Sequence, residues 1–360
     1  MSTVASPEYR ALAARLSAVA PEPGDVLRAQ GRRAARQRMW LIFFLGLAMG
    51  GVALSLFWGP DGFDGPRVLA SFHGDNAVAS AMIWSMRLPR LAIGALAGMG
   101  LALSGCVAQA VLRNPLASPF TLGISSGGAF GAALAMILWP WSAPAIPAMA
   151  IIFSLLTSLT ALGVTRLRNA TTETLVLAGV AVMFLFSALT SYIQYTAPQM
   201  ELQRIVFWTF GSLAKAGWGD IAVAAAMILI PAPWVVLRSW DLNLILCGDE
   251  TAQSLGVSVS RLKVLGIVAM SVMSAGAICF CGVIGFIGLV APHMARLAVG
   301  NDHRILLPAS AALGVALVIL ADLAGRILYA PLVIPVGIMT SFVGVPFFFW
   351  LIIRDSRRRW

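Results

Sequence analysis

Long apolar runs recur from Trp40 almost to the C-terminus, and short polar or Pro/Gly-rich stretches separate them. Each run can cross a hydrocarbon core of about 30 Å as a helix that rises about 1.5 Å per residue. None shows the sustained alternation expected of a transmembrane β-strand. The pattern therefore predicts an all-α fold, a polytopic transmembrane helical bundle.

Ten spans are predicted. They cover residues 39–59, 88–112, 119–139, 144–165, 174–196, 219–237, 262–282, 283–299, 304–325 and 332–354. No cleavable signal peptide is expected, since the first residues are polar and Arg-rich. The membrane domain then covers residues 39–354, between a basic N-terminal arm of residues 1–38 and a tail of residues 355–360. Residues 11–20 of the arm fit either an amphipathic surface helix or a disordered segment.

Composition and charge agree with a multi-pass inner-membrane protein. The chain is 59% hydrophobic and 11% charged, with a mean hydropathy of +0.87, whereas soluble domains are about 25% charged. The formal charge of +10 comes from basic residues at both ends and in alternate loops. By the positive-inside rule, both termini are cytoplasmic. This orientation, with some attraction to membrane lipid, accounts for the charge without a nucleic-acid partner.

Several kinds of chemistry are missing from the sequence. It has no phosphate-binding loop of the Gly-x-x-x-x-Gly-Lys-Ser/Thr type, so ATP-driven work requires a separate partner. Its four cysteines and three histidines lack metal-site spacing, and we assign no metal or cofactor. The carboxylates lie in loops or at predicted span ends, whereas ion-coupled carriers place such groups at mid-membrane. A translocation subunit without enzymatic activity fits better than a secondary transporter, which remains the alternative.

Two loops are longer than a bundle requires. The outer loop, residues 199–219, is predicted to hold a short re-entrant or interfacial helix. The cytoplasmic loop, residues 239–260, contains Asp249 and Glu250, which favour a helix start, and Gly256, which favours its end. A contact helix for a partner and a solvated acidic loop both fit this second segment.

Small residues predict where helices pack closely. Gly94 and Gly98 are four residues apart, and Gly123, Gly127 and Gly131 repeat this spacing. Glycines four apart lie on one helix face, where two backbones can approach each other.

Distinctive motifs occur in a fixed order along the chain. They are Arg87-Leu88-Pro89-Arg90, Arg113-Asn114-Pro115-Leu116-Ala117-Ser118-Pro119, Gly123-Ile124-Ser125-Ser126-Gly127, Gly285-Phe286-Ile287-Gly288-Leu289-Val290-Ala291-Pro292-His293, Asp302-His303-Arg304, Ala321-Asp322 with Arg326, and Ile334-Pro335-Val336-Gly337. With these motifs the chain resembles, from about Trp84 to Ile353, the permease subunits of the bacterial iron-siderophore, haem and vitamin B12 ABC importers.

The resemblance implies a type II ABC importer permease. Such a permease is a homodimer of ten-helix subunits, with the substrate path along the dimer interface. Two ATP-binding subunits, which hold ATP and Mg²⁺, lie below it, and a periplasmic substrate-binding protein docks above. A ferric siderophore is the first choice of metal-chelate substrate because it is the commonest in the family. Haem and cobalamin stay open.

The resemblance also assigns roles to single residues. Arg87, Arg90 and Arg326 would pair with acidic residues of the binding protein, which is physically reasonable because arginine–carboxylate pairs give register and steer encounter. From position alone, these arginines could instead reach to lipid headgroups. Val333 stands where the family often has glutamate, so this chain lacks that charge near the outer mouth.

The remaining implied sites lie on the cytoplasmic side. The coupling helix of the family falls on Gly248 to Val257, and the ATPase-coupling residues would be Gly248, Asp249, Glu250, Leu255 and Gly256. Thr171 and Thr172 match a hydroxyl pair at the cytoplasmic gate of the vitamin B12 branch. A helix cap explains this pair equally well.

Overall fold

The computed structural model describes residues 23–59, 62–73, 77–166 and 172–356, which are mostly helical. The first half contains α1 (Pro23–Phe57), β1 (Trp58–Gly59), β2 (Gly62–Phe63), α2 (Gly65–His73), α3 (Ala77–Met82), a π turn (Ile83–Arg87), α4 (Leu88–Val111), a 3-10 turn (Pro119–Leu122), α5 (Ile124–Leu138), α6 (Ala145–Arg166) and α7 (Thr172–Thr196). The second half contains α8 (Gln199–Thr209), α9 (Trp218–Leu229), α10 (Pro231–Leu237), α11 (Ser239–Ile245), α12 (Asp249–Ser254), α13 (Val259–Cys281), α14 (Ile287–Val299), α15 (His303–Ile327) and α16 (Val336–Ser356).

The described helices confirm the predicted membrane bundle. Seven helical stretches are long and apolar enough to cross a membrane: residues 28–57, 77–111, 145–163, 174–196, 218–237, 259–281 and 303–327. The three other predicted spans coincide with the shorter apolar helices α5, α14 and α16. The helix predicted in the outer loop is α8.

Three predicted spans begin later than expected because the backbone turns before them. Gly123, with φ 73°, separates the 3-10 turn from α5. Gly282 and Phe286 both have positive φ, so α14 starts only at Ile287. Pro335 precedes α16, and proline disfavours helical backbone in the residue before it. Gly123 is therefore the N-cap of α5 rather than a helical residue, but it still lies against Thr157 of α6, which Gly127 also contacts.

The described part of the predicted arm and the first predicted span form one helix. α1 runs without a break from Pro23 into the membrane segment, and its apolar part begins at Met39. Residues 11–20 lie outside the described residues. Between α1 and α4, a small antiparallel β1–β2 ladder and the helices α2 and α3 form a cap that the hydropathy pattern did not predict.

α4 is the central helix of the bundle. It packs along α15, α13 and α14, and most of its residues are buried. A methyl group on Gly98 would overlap the backbone of Gly314 in α15, and one on Gly105 would overlap that of Gly288 in α14. Such contacts require glycine because the two backbones touch. Gly98 thus confirms the predicted close packing.

Substitution of Gly98 by alanine tests this close approach. We expect Gly98→Ala to force α4 and α15 apart and to destabilise the protein by about 1–3 kcal/mol, as overpacking in cores does. The measurement is the thermal unfolding temperature of the purified protein in detergent. Gly50→Ala is the matched control, because nothing lies within 4 Å of its added methyl group. Equal unfolding temperatures for both variants would contradict the packing argument.

Candidate functional site

A short helix lies between two glycines at one end of the bundle. α12 follows Gly248, with φ 111°, and is followed by Gly256, with φ 88°. Glycine adopts these left-handed conformations readily, which lets the chain turn sharply into and out of α12. Glu250 is exposed and Leu255 is 61% exposed. The helix predicted over the acidic segment is therefore present, and it presents both a carboxylate and an apolar side chain to its surroundings.

Asp249 differs from its neighbour because its carboxylate points back into the protein. One oxygen lies 2.6 Å from Lys263 Nζ in α13, and the other lies 3.7 Å from Arg113 Nη1 after α4. Ala252, one turn further along the same face, is buried. Asp249 thus joins α12 to two membrane helices, whereas Glu250 has no ion-pair partner among the described residues.

A polar cluster that sequence reasoning missed holds α11 against the start of α15. Asn243 Nδ2 donates to Asp302 at 2.9 Å, and Asn243 Oδ1 accepts from the backbone N–H of His303 at 2.9 Å. Asp302 caps α15 by accepting from the backbone N–H of Arg304. The cap could have been predicted from the sequence, because an aspartate directly precedes an apolar run. The contact with Asn243, 59 positions away, had no local signal.

This cluster keeps its charge over the physiological pH range. Hydrogen bonds from the Arg304 side chain are the largest cause that lowers the pKa of Asp302 to about 2, and the amide of Asn243 adds to the shift. Burial acts in the opposite direction. Asp302 therefore remains ionised at neutral pH.

A second charged cluster lies at the opposite end of α4. Asp322 in α15 accepts hydrogen bonds from two nitrogens of Arg90: Nε lies 2.9 Å and 3.1 Å from the two carboxylate oxygens, and Nη2 lies 2.8 Å from one of them. The same carboxylate lies 3.2 Å from Arg326 Nε, one turn further along α15. Arg326 also donates to the hydroxyl group of Ser55 in α1. The Asp322 carboxylate therefore joins α4 to α15, and Arg326 extends this network to α1.

Arg87 belongs to a separate pair at the same end. Its Nη2 lies 2.6 Å from Asp64 in the cap, and its Nη1 donates to the carbonyl oxygen of Leu56 at 2.9 Å. Asp64 was not recognised from the sequence, because it lies in an outer segment without a helical pattern. The pairing ties the β1–β2 cap to the π turn before α4.

The three arginines predicted for docking are therefore already engaged within the chain. Arg87 and Arg326 are buried, and the side chain of Arg90 is 18% exposed. All three lie at the same end of the bundle, as the sequence predicted. Their role in docking stays a prediction. Next to Arg90 and Asp322 opens a cavity of about 260 Å³, which Trp208 and Lys215 also line.

The gate candidates cannot be placed in the same way. Thr171 lies outside the described residues. Thr172 is the first residue of α7, and its side chain also lies outside the described part. Both the gating role and the capping role remain predictions.

Comparisons with known proteins agree with this architecture. The model of the FecCD transport family matches residues 47–354. The hemin transport system permease of Yersinia pestis is 39% identical over 284 residues, which cover 77% of this chain and 85% of the relative. The cobalamin import system permease of Halobacterium salinarum is 38% identical over 287 residues, covering 79% of this chain and 77% of the relative.

A solved structure shows the same fold. It is that of a metal-chelate type ABC transporter in an inward-facing conformation, with a TM-score of 0.80 and 31% sequence identity, covering 87% of this chain and 98% of that one. The family match, the two relatives and the shared fold extend over most of the bundle. The chain therefore belongs to the FecCD transport family, as a multi-pass permease of the ABC importer type.

Proposed function

We propose that this chain forms the translocation path of an ATP-driven importer that carries a ferric siderophore into the cytoplasm. Haem and cobalamin are the alternative substrates, since the relatives compared above are named for hemin and cobalamin transport. In this proposal the chain lies in a bacterial inner membrane with both termini in the cytoplasm. A periplasmic binding protein delivers the chelate, and two ATP-binding subunits supply the energy.

The observation that carries the proposal is the geometry of α12. It is a short helix with an exposed carboxylate and an exposed leucine, and Asp249 connects its base to α4 and α13. A partner that moves α12 would move the ends of two membrane helices with it. This is the connection that a permease without its own nucleotide site requires.

The exposed face of α7 supports the expectation that the importer contains a second copy of this chain. Ser187 and Ser191 are exposed and four residues apart, so they lie on one face of this helix. Ser187 Oγ lies 3.4 Å from the hydroxyl group of Ser126 in α5. Hydroxyl groups in a membrane span usually face protein or a water-filled cavity rather than hydrocarbon. We therefore expect this face to line the path between two copies of the chain.

Reconstitution in liposomes tests the function directly. The subunit is purified with a candidate ATPase and binding protein, and ATP-dependent uptake of ferric siderophore, haem and cobalamin is measured in parallel. We expect one chelate to accumulate only when ATP is present. A Walker-site variant of the ATPase is the control. Uptake without ATP, or failure to form a complex with any ATPase, would favour a secondary transporter instead.

Substitutions of Glu250 and Asp249 are expected to have different effects, one on coupling and the other on stability. Glu250→Arg reverses an exposed charge, so it should reduce chelate uptake per ATP hydrolysed several-fold at an unchanged unfolding temperature. Asp249→Asn removes the partner of Lys263 and Arg113, so it should lower the unfolding temperature of the subunit. The two measurements are the transport-to-ATPase ratio and thermal unfolding in detergent. Full coupling in an assembled Glu250→Arg complex would contradict the role of α12.

A charge exchange separates the structural role of Arg90 from a docking role. Arg90→Glu alone places a second carboxylate beside Asp322, and breaking a buried pair costs about 3–5 kcal/mol. In Arg90→Glu/Asp322→Arg, opposite charges meet again between α4 and α15. Arg326 then lies one turn from a second arginine, so the unfolding temperature should recover only in part. Binding-protein affinity is then measured on this folded double variant. A several-fold loss supports docking at Arg90, and wild-type affinity would rule it out.

A further inference from the structure

The first helix is too long for the membrane. α1 has 35 residues, or about 52 Å at 1.5 Å per residue, against about 30 Å of hydrocarbon. Its apolar part begins at Met39. Residues 23–38, here called the N-terminal extension, therefore continue the helix beyond the hydrocarbon. The family match starts only at residue 47, so the extension is a feature of this chain outside that match.

Arginines on the extension form a ridge along one face. Arg28, Arg32 and Arg36 are each four residues apart, and such residues lie on one face of a helix. Met39 and Phe43 follow Arg36 by three and seven positions, so they continue the same face. They are 59% and 53% exposed, which makes this the outward apolar face of α1. The arginine ridge thus stands directly above the side of the helix that faces lipid.

The ridge carries positive charge that no acidic residue neutralises within the described part of the chain. All five arginines of the extension are exposed: Arg28, Arg32, Arg33, Arg36 and Arg38. None of them takes part in an ion pair within the described residues. Asp25 is the only acidic residue between positions 23 and 38. The ridge is therefore suited to a negatively charged partner.

The position of the extension is fixed by the bundle. Gln37 Nε2 donates to the backbone carbonyl of Val299, at the end of α14, at 2.8 Å. From Met39, Arg36 stands about 4.5 Å and Arg32 about 10 Å further along the helix axis. The headgroup layer is about 5–8 Å thick on each side, and arginine side chains are long. Arg36 lies within this layer and Arg32 reaches it, while Arg28 stays within about a Debye length of its surface.

We propose that this ridge binds the phosphate groups of anionic phospholipids in the leaflet next to the N-terminal end of α1. Guanidinium groups bind phosphate oxygens in bidentate geometry, which makes arginine well suited to this ligand. Lipid is favoured over a protein partner because the ridge continues the exposed apolar face rather than α12 or another polar surface. Binding would set the depth of α1 in the membrane.

A lipid titration tests the proposal. The full-length protein is delipidated in detergent and titrated with short-chain phosphatidylglycerol or phosphatidylcholine, and bound lipid is counted by native mass spectrometry. We expect the wild-type protein to prefer phosphatidylglycerol. Since each arginine near a membrane surface adds roughly fivefold to the attraction, Arg28→Gln/Arg32→Gln/Arg36→Gln should lower the affinity by on the order of tenfold or more. High salt should weaken the wild-type preference.

Two controls isolate the effect. Arg28→Lys/Arg32→Lys/Arg36→Lys keeps the charge and should retain most of the preference, and Arg67→Gln/Arg204→Gln changes arginines elsewhere and should leave it unchanged. Unfolding temperatures in phosphatidylcholine should match for the wild-type protein and the two variants of the ridge, because the ridge arginines take part in no ion pair within the described residues. An unchanged preference in the glutamine variant would overturn the proposal. Two other results would also overturn it. One is that inorganic phosphate competes for the ridge as strongly as lipid does. The other is that the glutamine variant loses affinity only for the ATPase subunit and not for lipid.

Discussion

The contact of the α4 backbone with α15 and α14 determines how the rest of the bundle is arranged. Gly98 against Gly314 and Gly105 against Gly288 leave no room for a side chain between these helices. Apolar side chains gain little from each other inside a bilayer, because lipid is equally apolar, so packing at small residues carries much of the association.

The same contacts join the two charged ends of the protein. α4 begins near Arg90 and leads, about 35 Å further on, to the residues that hold α12. A tightly packed pair of this kind responds to force as a unit, since close-packed interfaces transmit strain rather than absorb it.

Much of this architecture could be predicted from the sequence, for reasons that differ between elements. Spans were predictable because the bilayer requires long apolar runs, and the α12 helix because glycine and acidic residues mark helix ends locally. The late starts of α14 and α16 depend on backbone turns at Gly282, Phe286 and Pro335, which hydropathy does not register. The partners of Arg87 and Arg90 depend on contacts between distant segments. Of the three predicted docking arginines, only Arg326 could have been paired from spacing alone, because Asp322 lies four residues before it on the same helix.

The engagement of these arginines changes how a docking role has to be understood. A guanidinium group that already binds a carboxylate gains little from a second one unless the first pair opens. Opening the pair of Arg90 and Asp322 is costly, because it would leave the buried Asp322 carboxylate with only Arg326 as its ion-pair partner. Docking at Arg90 would therefore be coupled to the joint between α1, α4 and α15. In that case a binding protein at one end would act on α4, the helix that leads to Arg113 and hence to α12 at the other end. Lys215, which is exposed beside the cavity, offers a charge at the same end without that cost.

Adjacent residues of one motif need not share one role, as Asp249 and Glu250 illustrate. In the sequence the two carboxylates are equivalent helix starters, and a charge count treats them alike. In the structure Asp249 forms ion pairs with Lys263 and Arg113, while Glu250 is exposed and has no ion-pair partner among the described residues. The division has a physical logic. In the coupling role proposed for α12, one group has to attach the helix to the membrane helices, and another has to be free for a partner. A single carboxylate that served both purposes would have to release one contact to make the other.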